Sequence, residues 1–165
     1  MSEQNLIPFK AKKNFSLSNH TYEEGRDYEL HFLEVEVLIN EGLVDIIPLN
    51  SVNYRKILKE EGASDKMLEL GENFYAFARI SQRYLKDRSN LSEMDKKAYS
   101  DSAAALRNFL RLRSEKIVKS LLMENQKIEV HDSELFFISL IGGEISKWIR
   151  FNESIIKGEE YEVFQ

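Results

Sequence analysis

The chain has 165 residues, of which 42% are hydrophobic and 31% are charged, so it can bury a core as one domain or two small ones. It has no cysteine, which excludes disulfides and thiolate zinc sites and favours a reducing compartment such as the cytoplasm. The net charge of −5 lacks the basic excess of a dedicated nucleic-acid-binding protein, and neither a signal peptide nor a membrane span is predicted.

The charges are unevenly distributed along the chain. Residues 1–50 carry four Lys or Arg against nine Asp or Glu, residues 51–128 carry sixteen against eleven, and residues 129–165 carry three against eight. The three segments therefore have net charges of −5, +5 and −5. This segregation predicts that the middle segment faces something acidic, which is a partner protein, the ends of the same chain or nucleic acid.

The first 48 residues predict a small β-rich domain with one helix. Short apolar or aromatic runs typical of strands occur at 6–9, 14–17, 27–30 and 43–47. A turn is expected at Glu24–Gly25. Apolar residues at helical spacing from Phe32 to Ile39 predict a helix that stops at Gly42, and Pro48 marks the predicted domain boundary.

Residues 49–165 contain no proline and predict a mainly α-helical domain. The predicted helices cover 52–61, a stretch starting at Ser64 as the N-cap, 93–125, and a last stretch capped by Asp132 or Ser133. The pair Gly142–Gly143 is the expected weak point of the last helix. Domains at 1–48 and 49–165 together predict the α+β fold class, with one long helix.

The long predicted helix is expected to contact another subunit. It spans ~50 Å, more than the ~35 Å expected across a compact unit of this size. Its apolar side chains form two flanks, which one neighbouring helix would not cover. With the preceding helix, the residues predicted for a subunit interface are Phe74, Phe77, Leu106, Phe109, Leu110 and Ile117.

The same helix carries a cluster of basic residues: Arg107, Arg111, Arg113, Lys116 and Lys119. One interpretation is a solvated helix face, because Glu115 lies four residues from both Arg111 and Lys119 and forms ordinary intrahelical pairs. The other two interpretations are a face for an acidic protein partner and a face for DNA.

No residue pattern predicts catalysis, cofactor binding or metal binding. His20, His31 and His131 are far apart, so they are interpreted as surface or capping residues. No glycine-rich phosphate-binding motif is present. Adjacent acidic pairs such as Glu60–Glu61 are interpreted as solvated charges. We therefore expect a protein that is not an enzyme and needs no cofactor.

Two stretches are similar to the archaeal GINS subunits in which a small β domain precedes the helical domain. Gly25 to Leu30, an apolar helix and then Glu41 to Val44 resemble that family's glycine turn, Tyr-x-Leu strand and helix-to-strand return. Leu106 to Ile117 resembles the Leu/Arg-rich end of the family's long helix. The chain departs from the family at His31–Phe32, where a proline and a large aromatic residue often follow the strand.

The resemblance implies a non-catalytic scaffold of the DNA replication fork. Such a subunit assembles with a second GINS subunit type into a hetero-tetramer and binds the MCM helicase and a RecJ-like partner, with primase as a further partner. Contact with DNA would be indirect or weak. The alternative hypothesis is a homodimeric helical regulator that binds DNA through the basic cluster. A small enzyme is the third hypothesis, without a visible active site.

Overall fold

The computed structural model describes residues 6–123 and 130–158. Within these ranges the N-terminal part consists of β1 (Leu6–Ala11), β2 (Phe15–Leu17), β3 (His20–Tyr22), β4 (Asp27–His31), α1 (Phe32–Asn40) and β5 (Val44–Ile46). The helices that follow are α2 (Ser51–Gly62), α3 (Phe74–Arg88), α4 (Glu93–Leu122) and α5 (Asp132–Lys157). This arrangement confirms the predicted α+β fold class with a long helix.

β1 is the central strand of an antiparallel sheet in the order β4–β1–β5. Its alternation places Ile7, Phe9 and Ala11 on the buried face, as expected for a strand with one side covered. β2 and β3 form a separate hairpin, whose turn residues Ser18 and Asn19 have positive φ angles of 49° and 67°. The sequence pattern does not predict β3, because only one of its three side chains is buried.

Two glycines make the chain reversals that the sequence predicts. Gly25 has a φ of 81°, and its N–H donates to the carbonyl of Ala11 at 2.8 Å, which turns the chain into β4. Gly42 has a φ of 66° and ends α1, where the N–H of Leu43 donates to the carbonyl of Leu38 at 2.9 Å. Glycine avoids the strain that other residues meet at these angles, so both predictions are confirmed.

Side-chain caps start the helices α2 and α4. The side chain of Asn50 accepts the N–H of Val52 at 2.9 Å, and the hydroxyl of Ser92 accepts the N–H of Asp95 at 3.1 Å. α4 has 30 residues, a length of ~45 Å, and ends at Leu122. The last predicted residue of this helix, Asn125, lies outside the described residues.

α5 differs from its prediction at the N-cap. Its N-cap is His131, whose ring Nδ1 accepts the N–H of Ser133 at 3.1 Å, instead of Asp132 or Ser133. The helix also continues through Gly142–Gly143 without a break. Glycine lowers helix stability by only about 1 kcal/mol per residue, which the rest of a 26-residue helix offsets.

The predicted helix start at Ser64 is wrong. Residues 63–73 form no helix, and α3 begins only at Phe74. The hydroxyl of Ser64 does accept the N–H of Lys66 at 3.0 Å, as a cap would. The backbone of this segment instead forms hydrogen bonds with charged side chains of α2 and α4, which compete with a helical path.

The buried apolar side chains form two clusters among the described residues. The first combines the strands and α1 with Ile80 of α3, against which Phe77 and Tyr84 also pack. The second consists of Tyr54, Ala78 and Ala105, where α2, α3 and α4 meet. The strands end and α2 begins on either side of the predicted boundary at Pro48, but α3 contributes to both cores.

Replacement of a core aromatic should cost much of the stability. Phe109 is fully buried, and its ring centroid lies 5.5 Å from that of Phe74 in an edge-to-face arrangement. We predict that Phe109→Ala lowers the free energy of unfolding by ~3–5 kcal/mol, because it leaves a cavity. Urea unfolding followed by circular dichroism measures this change. Met94→Ala, at a residue of the same helix that is 80% exposed, is the control, and equal losses would contradict the prediction.

Candidate interaction surface

α5 leaves most of its apolar side chains in contact with solvent. Of its 26 residues, Glu134 and Ser154 alone are buried, and neither apolar core cluster of the described chain includes an α5 side chain. Phe136 is 70% exposed, Leu140 60%, Trp148 56% and Ile155 61%. These four residues follow at steps of four, eight and seven, so they lie along one side of the helix. We call this row the α5 face.

The charged side chains on α5 pair largely with each other. Nζ of Lys147 lies 2.8 Å from Oε1 of Glu144, and Nζ of Lys157 lies 3.7 Å from Oε2 of Glu153. Such exposed pairs contribute little to stability, but they leave little uncompensated charge beside the α5 face. The face therefore suits an apolar partner surface better than a polyanion.

Glu134, in the first turn of α5, attaches this helix to the rest of the chain. Its Oε1 accepts a hydrogen bond from Nε of Arg113 at 2.7 Å, and its Oε2 accepts one from Nη2 at 3.1 Å. The hydroxyl of Tyr75 donates to Oε1 at 2.5 Å, and the backbone N–H of His131 donates to Oε2 at 2.8 Å. This bidentate geometry fixes both the position and the direction of the first turn.

Arg113 also binds the end of α2. Its Nη1 donates to Oε2 of Glu61 at 2.9 Å and to the carbonyl of Leu68 at 2.6 Å. Both Arg113 and Glu61 are buried, with 2% and 0% of their surface exposed. Arg113 thus joins α2, α4, α5 and the segment before α3. The interpretation of Glu61 as a solvated charge is wrong.

Lys116 completes this group, which we call the ionic cluster: Glu61, Arg113, Lys116 and Glu134. Nζ of Lys116 lies 3.0 Å from Oε1 of Glu61 and donates to the carbonyls of Glu61, Ser64 and Lys66. The N–H of Leu68 donates to Oε2 of Glu61 at 3.0 Å. The cluster therefore satisfies backbone groups of the segment that the sequence predicts to be helical.

The ionic cluster favours the charged forms of Glu134 and Arg113. Burial raises the pKa of Glu134, but hydrogen bonds from Arg113, Tyr75 and the backbone of His131 outweigh burial and lower it below its ordinary value of 4.5. Burial lowers the pKa of Arg113, but Glu134 and Glu61 raise it above its ordinary value. Burial and the hydrogen bond to Glu134 raise the pKa of Tyr75. The cluster thus contains two acidic and two basic side chains, in contact with one another.

The residues of the predicted basic face do not all lie on the surface. Arg107, Arg111 and Lys119 are exposed, whereas Arg113 is buried and the side chain of Lys116 is 12% exposed. Arg113 and Lys116 therefore belong to the ionic cluster and not to an external face. Arg111 lies 3.9 Å from Glu115 and Lys119 lies 3.5 Å from Asp65, so these two also have acidic neighbours.

The predicted interface residues lie largely inside the chain. Phe109 and Ile117 are buried, with 0% and 2% of their surface exposed, so they offer no surface to another subunit. Phe74 and Leu106 pack against the second core cluster and Phe77 against the first. Leu110 is half-buried. α4 packs mainly against α2 and α3 of the same chain.

Sequence reasoning missed both the α5 face and the ionic cluster. The signal for the α5 face was the high apolar content of residues 135–156, but a helical stripe alone does not tell core from surface. No local sequence pattern marks Glu61 and Glu134 as buried ion-pair residues, because their partner Arg113 is 52 and 21 residues away. The predicted capping role of a histidine is confirmed at His131, while His20 and His31 are exposed.

Comparisons with known proteins place no further constraint on the site, since no protein-family model and no curated protein matches the sequence. No helix within residues 6–123 and 130–158 has the length and apolar content that a membrane crossing requires. The same ranges contain no group of three or more His, Cys, Asp or Glu side chains that could hold a metal ion.

Removal of the central guanidinium should destabilise the fold strongly. We predict that Arg113→Met lowers the free energy of unfolding by ~3–5 kcal/mol, because Glu61 and Glu134 would remain buried without it. Arg111→Met is the control, and its exposed position should limit the change to ~0.5 kcal/mol. Urea unfolding of both variants measures the difference. Similar losses of unfolding free energy for the two variants would show that the ionic cluster does not stabilise the fold.

The contribution of Glu134 should depend on pH. Its pKa is lowered from 4.5 in the folded chain, so its ionised form stabilises the fold above about pH 4.5, and this stabilisation is lost as the pH falls through the folded value. The difference in unfolding free energy between the wild type and Glu134→Gln should therefore be largest near pH 7 and shrink towards about pH 3. Urea unfolding at several pH values measures it. Glu144→Gln, an exposed acid of α5, is the control, and a pH-independent difference for Glu134→Gln would contradict this assignment.

Proposed function

We propose that this chain is a non-catalytic subunit of a protein assembly and that the α5 face binds the partner. The observation that carries the proposal is the row of Phe136, Leu140, Trp148 and Ile155, each more than half exposed to solvent. Burial of such side chains contributes roughly 25 cal/mol per Å² of apolar surface. Groups of exposed apolar side chains on one side of a helix commonly mark sites of protein association, and Glu144, which lies between Leu140 and Trp148 on this side, is paired with Lys147.

The ionic cluster supports this proposal by the way it holds α5. Glu134 accepts two hydrogen bonds from Arg113 and one from Tyr75, so the first turn of α5 is held in place before any partner binds. A helix that is already oriented loses less conformational entropy on association than a free segment does. The cluster is therefore a positioning device for the α5 face.

From the resemblance to archaeal GINS subunits, we further propose that the assembly acts at the replication fork. The order of a small β part before the helices agrees with that family's organisation, as do the turns at Gly25 and Gly42. The partner of the α5 face would then be a second GINS subunit type in a hetero-tetramer. The MCM helicase, a RecJ-like protein and primase would be further partners of the complex.

A DNA-binding regulator has less support. The inward position of Arg113 and Lys116 leaves Arg107, Arg111 and Lys119 on the outside of α4, and two of these have acidic neighbours. A short row of partly compensated cations gives weak contact with a phosphate backbone. The apolar α5 face would have no role in such contact.

Light scattering after size exclusion tests the proposal, with this chain alone and co-expressed with a second GINS-type subunit from the same cell. We predict a stable complex close to four chains in mass. Leu140→Ser with Trp148→Ser should reduce it to smaller species, because the α5 face loses its apolar centre. Leu91→Ser with Met94→Ser, at exposed residues around the start of α4, is the matched control and should leave the complex intact.

The outcomes separate the two parts of this proposal. A folded α5 variant that still forms the native-size complex would rule out the α5 face as the contact. Failure of the second GINS-type subunit to bind the wild type would rule out the replication role. A homo-oligomer that the α5 variant disrupts would keep the assembly function with a different partner.

A further inference from the structure

A second surface, on α3, carries basic side chains that form no ion pair with the described residues. Arg79, Arg83 and Lys86 follow at steps of four and three, so they share one side of the helix, and all three are exposed. Among the described residues, no carboxylate lies within the 4.0 Å of an ion pair from any of them. We call these residues the α3 basic row. Its positive charge is available to an external partner.

A cavity of ≈ 210 Å³ lies beside this row, between α1 and α3. Ile39, Ile80 and Tyr84 give it an apolar lining. Polar and charged side chains complete the lining: Glu36, Asn40, Arg83, Asp87 and Arg88. Arg83 belongs to both the cavity and the α3 basic row, so the two features form one continuous surface.

The Tyr84 ring packs against the first core cluster and contacts Arg88 on its outer side. Nη1 of Arg88 donates to the hydroxyl of Tyr84 at 2.8 Å, and its guanidinium carbon lies 5.5 Å from the ring centroid. The cavity therefore has a firm aromatic wall. Leu33 and Val37, 62% and 60% exposed on neighbouring turns of α1, add apolar surface on the helix that also supplies Glu36 and Asn40.

The size and chemistry of the cavity indicate what it binds. Sites for small metabolites usually measure roughly 300–1,000 Å³, so this cavity suits a single bulky side chain better. Its apolar lining favours an aromatic ring. The adjacent guanidinium and ammonium groups favour carboxylates, which arginine binds in a bidentate manner.

We propose that the α3 basic row and the α1–α3 cavity form a docking site for an acidic segment of a partner protein. One aromatic residue of the segment enters the cavity, and carboxylates on either side of it pair with Arg79, Arg83 and Lys86. The site shares no residue with the α5 face, so the two surfaces can be changed independently of each other. Clusters of arginine residues commonly recognise short acidic segments through charge-assisted hydrogen bonds to carboxylates.

The charges of the cavity lining argue against a nucleic acid at this site. Glu36 and Asp87 lie beside Arg83 and Arg88, so a continuous row of phosphates would meet two carboxylates as well as the cations. A peptide can instead place its acidic residues along the α3 basic row and leave Glu36 and Asp87 facing neutral groups. Such a pattern of mixed charges selects a partner by its charge sequence.

Fluorescence anisotropy with the full chain tests the proposal, using a labelled peptide of sequence Gly-Asp-Glu-Asp-Phe-Asp-Glu-Gly as the probe. We predict that Arg79→Glu with Arg83→Glu weakens binding by at least ~10-fold, since two attractive contacts become repulsive. Arg107→Glu with Arg111→Glu makes the same charge change on α4 and should leave the Kd within ~2-fold. Replacement of the peptide phenylalanine by alanine should also weaken binding by ~10-fold. Circular dichroism confirms that the variants remain folded.

Other results would overturn the proposal. Equal binding by the alanine peptide would show that no aromatic ring enters the cavity. Equal losses from the α3 and α4 double variants would show a general response to net charge. Absence of peptide binding together with tight binding of a labelled single-stranded DNA, lost in the α3 variant, would assign the surface to nucleic acid instead.

Discussion

The arrangement of the helices depends on one buried cation. Arg113 binds Glu61 at the end of α2 and Glu134 at the start of α5, and it also holds the carbonyl of Leu68. A buried ion pair adds little net stability compared with apolar packing, but the loss of one member is costly. The main effect of Arg113 is therefore geometric, because its hydrogen bonds to both carboxylates hold the end of α2 and the start of α5 against α4.

The hydrogen bonds of Arg113 also determine which apolar side chains α5 presents on the surface. Since the first turn of α5 is fixed by Glu134, the rest of the helix can expose Leu140 and Trp148 without losing its position. α3 has a comparable role on the other side, because Ile80 and Ala78 join the β part and the helices into connected cores. The α5 face and the α3 basic row are thus presented on elements that the interior holds in place.

The predictions from sequence succeed where the cause is local. The turns at Gly25 and Gly42 require positive φ angles, which glycine adopts without strain, and both occur as expected. The strands other than β3 and the start of α2 likewise follow from short-range patterns. The helix predicted from Ser64 fails although its local signals are good, because Glu61 and Lys116 bind the backbone of this segment more favourably.

The sequence by itself determined the α+β class, the order of the helices and of the strands other than β3, and the absence of a motif for known cofactors, since these depend on composition and spacing along the chain. Only the tertiary structure decided which helix faces are covered. Periodicity places Phe109 and Trp148 alike on apolar stripes, yet the first is in the core and the second is exposed. The reason is that burial depends on neighbours such as Phe74 that are distant in sequence, just as Arg113 becomes internal only through Glu61 and Glu134.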